Sequence, residues 1–142
     1  HLTTTPPLPE VIDAMRPWHE SHFGAAGSLH QLGLEARDAL DEARSSLAKL
    51  VNATDPEEII FTSNGTEAVN LAVKGAALAN RRFGKHIVTT QIEHPAVLGS
   101  IAWLEEQGFE RTQLSVDNQG RIDPAALGQA LRHCRGSLQA HL

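Results

Sequence analysis

Apolar residues recur at steps of three and four along the first half of the chain, whereas in the second half they gather into short runs. From Ser28, which fits an N-cap, a helical repeat extends over about six turns. An earlier repeat over residues 10–23 predicts a shorter helix, which Pro17 is expected to kink or break because proline lacks a backbone donor. The members of the long repeat are Leu29, Leu32, Ala36, Leu40, Ala43, Leu47 and Leu50.

The second half alternates between apolar runs and helical patterns. Runs at residues 58–62, 86–91 and 109–116 predict strands, the first of them buried, and residues 137–141 are interpreted as the start of another. This alternation predicts the α/β class, as a three-layer α/β/α sandwich with a mainly parallel sheet. The helices are predicted from Thr66 to Gly84 and largely buried, from Pro95 to about Gln107, and from Pro124 to about His133.

Composition narrows the classes of function. The 142 residues are 41% hydrophobic and 20% charged, which is typical of a globular domain with a core. A net charge of −5 with scattered basic residues predicts no nucleic-acid binding. No apolar run approaches the ~20 residues of a membrane span and no signal peptide is visible, so we expect no membrane role. A single cysteine, Cys134, fits a reducing compartment and hence a cytoplasmic location.

The candidate chemistry begins at the predicted turn between the first strand of the second half and its helix. Ser63-Asn64-Gly65 reads as a tight turn and Thr66 as the residue that opens the helix. The first amides of a helix lack internal partners and carry partial positive charge, so they can hold a phosphate. Gly65 would let the ligand approach the backbone, and Thr66 would add a hydroxyl. The alternative interpretation is a Ser/Asn/Thr cap on an ordinary helix.

Histidines supply the other candidates. His94 follows the second of these strands directly, so it is expected beside the Gly65-Thr66 turn at the carboxyl edge of the sheet. Its alternative role is that of a capping or structural histidine. His19 and His22 lie three residues apart, but no carboxylate or cysteine at ligand spacing accompanies them, and we interpret them as surface histidines.

Several segments together resemble the cysteine desulfurases of the class V aminotransferase family. The phosphate-loop segment, residues 58–67, and the segment Glu93-His94-Pro95-Ala96-Val97-Leu98 are similar to that family's phosphate signature and active-site histidine. The other matching segments are Thr4-Thr5-Pro6, Pro9-Glu10-Val11, Phe23-Gly24, Ser28-Leu29-His30, Asn70-Leu71-Ala72, Gly84-Lys85-His86-Ile87-Val88, Gly108-Phe109-Glu110 and Gly120-Arg121-Ile122-Asp123.

The resemblance implies a pyridoxal-phosphate enzyme of fold type I. Gly65 and Thr66 would bind the phosphate, and His94 would stack on the pyridine ring and move protons. The implied reaction converts L-cysteine to L-alanine and transfers sulfur to an enzyme cysteine as a persulfide. The implied partners are a sulfur-acceptor protein of iron–sulfur cluster assembly and a second subunit in a homodimer. Residues 1–27 would belong partly to a small domain or interface, and residues 28–142 to an incomplete large domain.

Departures from the family pattern leave alternatives. Asn64 and Gly65 stand where the family commonly has Gly or Ala, and Ala25-Ala26 replace its Asn-Pro, so a selenocysteine lyase or another class V enzyme remains an alternative. The family's cofactor-linking lysine, pyridine-pairing aspartate and catalytic cysteine have no counterpart here, and Cys134 matches none of them. We therefore expect an N-terminal piece of a larger enzyme that is inactive alone, or else a non-catalytic phosphate-binding or scaffold module.

Overall fold

A computed structural model describes residues 4–139, with side chains as far as residue 131. The chain divides into two compact units, His1–Phe61 and Thr62–Leu142. The first unit contains helices α1 (Pro9–Glu20) and α2 (Gln31–Leu50) and a short 3-10 helix (Pro56–Glu58).

Helix α1 continues through Pro17, so the helix is not broken there, while the kink given as the other expected outcome stays a prediction. The carbonyl of Pro17 accepts hydrogen bonds from the amides of Ser21 and His22, both at 2.9 Å, and these bonds close the last turn. A proline removes one donor, and the turns on either side keep theirs. No residue of α1 is buried, and its apolar residues remain 39–50% exposed; they are Val11, Ile12, Met15 and Trp18.

Helix α2 has the predicted length but begins later than predicted. Ser28 is not its N-cap; the cap is His30, whose ring Nδ1 accepts the amide of Gly33 at 3.3 Å. Ser28 instead closes a turn by donating its amide to the carbonyl of Ala25 at 2.9 Å. That turn lies so close to Gly33 that a Cβ there would meet the Ser28 carbonyl oxygen at 2.4 Å. Leu29, predicted on the apolar face, lies outside α2 and is 87% exposed.

The strand predicted at residues 58–62 is wrong. The Asp55-Pro56 pair begins a 3-10 helix with a capping box, in which Glu58 accepts the amides of Thr54 and Asp55 at 3.1 and 3.0 Å. Beyond this helix the chain is extended at Ile59, whose carbonyl accepts from Arg44 Nε at 3.2 Å rather than from a neighbouring strand. Side chains predicted to be buried are exposed, Ile60 at 66% and Phe61 at 43%.

The second unit is a mixed α/β arrangement around two parallel strands, as the alternation of patterns predicted. Its elements are α3 (Gly65–Asn80), β1 (His86–Thr90), α4 (Pro95–Glu106), β2 (Glu110–Leu114) and α5 (Pro124–Gln139). The strands pair in register with Val88 opposite Thr112. The core of this unit lies between α4, β2 and α5, where Ile101, Leu104, Phe109, Leu114 and Ala130 are buried.

Three predictions about the helices of this unit are wrong: the end of α3, its burial and the end of α5. Helix α3 ends at Asn80 rather than at Gly84, which has a φ of 158° in the loop before β1, and no residue of α3 is buried. Helix α5 continues to Gln139, so residues 137–139 are not a strand, while 140 and 141 lie outside the described residues. Gly136 weakens the end of α5 by ~1 kcal/mol relative to alanine, and one such residue does not stop a helix.

Candidate anion-binding site

Helix α3 begins one residue earlier than predicted, because Asn64 caps it. The Asn64 side chain accepts the amide of Glu67 at 2.9 Å, and its carbonyl accepts the amide of Ala68 at 3.1 Å. Gly65 and Thr66 are therefore the first two helical residues. Their amides point out of the end of the helix, where its partial positive charge lies.

The helix start leaves a set of free donors. Within residues 4–139, no protein group accepts from the amides of Gly65 and Thr66 or pairs with the Thr66 hydroxyl. Both residues are exposed. A Cβ placed on Gly65 would meet no atom within 4 Å, so a ligand can approach its backbone. Two amides and a hydroxyl at a helix N-terminus match the acceptor oxygens of a phosphate.

A carboxylate lies beside these donors and was missed in the sequence. Glu67 Oε2 accepts the Ser63 amide at 2.7 Å and the Ser63 hydroxyl at 2.6 Å. These bonds, first the hydroxyl and then the amide, lower the pKa of Glu67 below its ordinary value. Asn64 Nδ2 adds a bond to the Ser63 hydroxyl at 3.1 Å. The sequence signal was a Glu three residues after a capping Asn, which is a variant of the capping box.

His94 lies just before α4 and caps it. Its Nδ1 accepts the amide of Ala96 at 3.1 Å, and Pro95 occupies the first helical position. Because Nδ1 is the acceptor, the neutral ring carries its proton on Nε2, which faces no described protein partner. The preceding loop is held by a bond from Thr90 Oγ1 to Glu93 Oε1 at 2.8 Å. The capping role proposed as the alternative is therefore present, and the cofactor role remains a prediction.

The predicted convergence of two strand ends does not occur as stated, because residues 58–62 form no strand. His94 follows β1, and the Gly65-Thr66 donors lie at the start of a helix that packs on α4. In the part of the chain that is described, no hydrogen bond or ring contact joins His94 to Gly65 or Thr66.

Other side chains with possible chemistry, namely His22, Lys74 and Lys85, have local partners. His22 Nδ1 lies 3.0 Å from Ser21 Oγ and its ring is 5.1 Å from that of Trp18. Two lysines sit over aromatic rings: Lys74 Nζ is 4.9 Å from the ring centre of Trp103, and Lys85 Nζ is 5.9 Å from that of Phe109. Over residues 4–131 there is no cluster of three or more metal-binding side chains. The side chain of Cys134 lies outside the described range.

An open apolar cavity of about 530 Å³ lies beside β1 in the second unit. Helices α3, α4 and α5 contribute Val73, Ile101 and Leu127 to its wall, and all five residues of β1 line it. Its wall is apolar apart from a few groups that include Glu93 and His86, so it does not resemble an anion site. No helix among the described residues is long and apolar enough to cross a bilayer.

Comparisons with known proteins agree on one family. The family model described as aminotransferase class-V matches residues 2–139. A curated relative, cysteine desulfurase IscS of Dictyoglomus turgidum, is 48% identical over 93% of this chain and 33% of its own length. A solved NifS-like protein matches with a TM-score of 0.76 and 33% identity, over 84% of this chain and 33% of that one.

A second solved structure, described as SspA in complex with cysteine, has a TM-score of 0.79 and 33% identity over 89% of this chain and 36% of its own. The chain thus spans about a third of the length of the relatives it matches.

Proposed function

The chain belongs to the class-V aminotransferase family, whose members depend on pyridoxal phosphate, and we propose that it is part of a cysteine desulfurase. The complete enzyme would convert L-cysteine to L-alanine and transfer the sulfur to an enzyme cysteine as a persulfide. The single structural observation that supports cofactor binding is the set of donors at Gly65 and Thr66 with no acceptor among the described residues, while the relatives support the desulfurase reaction. A relative solved in complex with cysteine supports an amino-acid substrate, for which we propose cysteine.

The donors at the start of α3 would hold the phosphate of the cofactor. The amides of Gly65 and Thr66 supply two bonds and the Thr66 hydroxyl a third, while the helix dipole favours the negative charge. The residues present fit this group by their chemistry, since all three donors are exposed and no acceptor in the described part of the chain uses them.

His94 would position the pyridine ring and move a proton. The cofactor, when bound, supplies the electron sink for removal of the substrate α-proton. Capping of α4 fixes the imidazole through Nδ1, so Nε2 is the atom left to exchange a proton. A flat ring held in this way can also stack.

The lysine that links the cofactor and the sulfur-accepting cysteine are proposed to come from other parts of the complete polypeptide. Two lysines of this chain, Lys74 and Lys85, each lie over an aromatic ring, and neither is proposed as the lysine that links the cofactor. We extend the proposal to a cytoplasmic homodimer that hands sulfur to an acceptor protein in iron–sulfur cluster assembly, in keeping with the IscS name of several relatives. By the same reasoning the 142 residues alone would not turn over cysteine.

Comparing pyridoxal phosphate with pyridoxal in the full-length protein tests the phosphate assignment. Thr66→Ala removes a hydrogen bond to a charged group, worth ~1.5–3 kcal/mol. Pyridoxal phosphate should then bind roughly 10- to 100-fold more weakly. Pyridoxal lacks the phosphate, so its affinity should not change.

Thr66→Ser, which keeps the hydroxyl, is the matched control and should bind both compounds like the parent. If Thr66→Ala affects neither compound, or weakens both equally, Thr66 does not hold the phosphate. A full-length protein that binds pyridoxal phosphate normally but releases no alanine from cysteine would favour another class V reaction.

A further inference from the structure

Glu67 presents an electrostatic problem at the proposed phosphate site. It is the third residue of α3, directly after Thr66, and its carboxylate bears a negative charge beside donors that are proposed to bind a doubly charged group. Direct repulsion between the two would weaken phosphate binding. The hydrogen bonds of Glu67 indicate a different effect, which is to fix the shape of the turn that presents the donors.

The Glu67 carboxylate is held on Ser63, the residue that precedes the N-cap Asn64. One oxygen, Oε2, accepts both the amide and the hydroxyl of Ser63, and short bonds to an ionised carboxylate are the stronger kind. The Ser63 hydroxyl also receives Asn64 Nδ2, and Asn64 in turn caps the Glu67 amide. Ser63, Asn64 and Glu67 thus form a closed ring of hydrogen bonds, which we call the clasp.

The clasp occupies the backbone amides of Ser63 and Glu67. It does not occupy the amides of Gly65 and Thr66, the two residues between Asn64 and Glu67. The Ser63 amide and the Glu67 amide both have protein acceptors, whereas the amides of Gly65 and Thr66 have none among the described residues. Gly65 is the residue in this turn with the greatest backbone freedom, so a turn without cross-links would lose more entropy on binding a ligand. A turn already fixed in shape avoids that loss.

We propose that the Glu67–Ser63 clasp is a positioning device that pre-organises the Gly65 and Thr66 amides for the cofactor phosphate. Glu67 and Ser63 do not touch the phosphate themselves. The inference rests on the proposed function of this turn, and it assigns to Glu67 an effect opposite in sign to simple charge repulsion. Loss of the carboxylate should weaken phosphate binding, although it removes a negative charge from the site.

A double-mutant cycle in the full-length protein tests the clasp. Apoenzyme variants Glu67→Ala, Ser63→Ala and the double variant are titrated with pyridoxal phosphate and with pyridoxal. Glu67→Ala should weaken binding of pyridoxal phosphate about tenfold, as expected for a lost charge-assisted bond. Ser63→Ala should have a smaller effect, because the Ser63 amide still reaches Glu67. In the Glu67→Ala background, Ser63→Ala should have little further effect, since the carboxylate is already gone and only the bond from Asn64 Nδ2 remains to be lost.

The controls separate failure of the clasp from failure of the site. Glu10→Ala removes a glutamate from the first turn of α1, where it has no described partner, and should leave both affinities unchanged. Unchanged or tighter binding of pyridoxal phosphate by Glu67→Ala would overturn the clasp, and so would an equal loss for pyridoxal. If Thr66→Ala still weakens pyridoxal phosphate alone, the phosphate site stands without the clasp; if it does not, the site itself fails.

Discussion

At the scale of single residues, His94 has two separable properties. Its Nδ1 caps α4, which is a structural role, and its ring with Nε2 is the proposed cofactor contact. Asparagine also caps helices well but has no ring, whereas phenylalanine has a ring but no acceptor. Two substitutions at one position can therefore test the two properties separately.

We predict that His94→Asn keeps the stability of the full-length enzyme and loses turnover, because the cap remains and the imidazole is gone. His94→Phe should lower the free energy of unfolding by ~1 kcal/mol through loss of the cap, retain more cofactor than His94→Asn, and still lose turnover. Urea unfolding, cofactor titration and alanine release from cysteine measure the three quantities. Parental turnover in His94→Phe would remove the proton-transfer role.

Sequence patterns predicted the start of this helix to within one residue, because Thr66 was expected to open it and the helix begins at Gly65. The pattern did not give the true cap, Asn64, or the bond from Glu67 to Ser63. A polar turn contains several residues that can cap, and the choice among them depends on side-chain torsions that residue type does not determine. The roles of Gly65, Thr66 and His94 toward the cofactor stay predictions.

At the scale of elements, capping residues determined the local structure where a run of apolar residues had given a wrong prediction. Residues 58–62 contain Ile59, Ile60 and Phe61, which favour a strand, but the Asp55-Pro56 pair and Glu58 begin a 3-10 helix first. At α2 the choice was between two capping residues, and His30 rather than Ser28 is the N-cap. By contrast, β1, α4 and β2 were predicted within a few residues, since Pro95 and Gly108 mark their limits clearly.

The capping box predicts a local effect on the amides of Thr54 and Asp55. Glu58→Ala removes the carboxylate that accepts both, and loss of a cap is worth ~1 kcal/mol. Hydrogen exchange of these two amides in the full-length protein should accelerate about fivefold. Glu57→Ala, next to it and without a described side-chain partner, is the control and should not change them. Equal rates in Glu58→Ala and the parent would contradict the capping box.

At the scale of the whole molecule, alternation of strands and helices was enough to predict the mixed α/β class and the parallel sheet. It overestimated burial, since α3 reads as an apolar helix yet has Leu71 47% exposed and Leu78 36% exposed. Burial depends on what packs against a helix, and a local pattern contains no information on distant segments. The chain spans about a third of the length of its relatives, so most of the segments that pack together in those proteins are not part of it.

The central claim is that the start of α3 holds the phosphate of pyridoxal phosphate. The most direct measurement is a crystal structure of the full-length protein with the cofactor bound. We expect phosphate oxygens about 2.7–3.2 Å from the amide nitrogens of Gly65 and Thr66, with a further oxygen within hydrogen-bonding distance of the Thr66 hydroxyl. A phosphate bound elsewhere, with these three donors facing water, would contradict it.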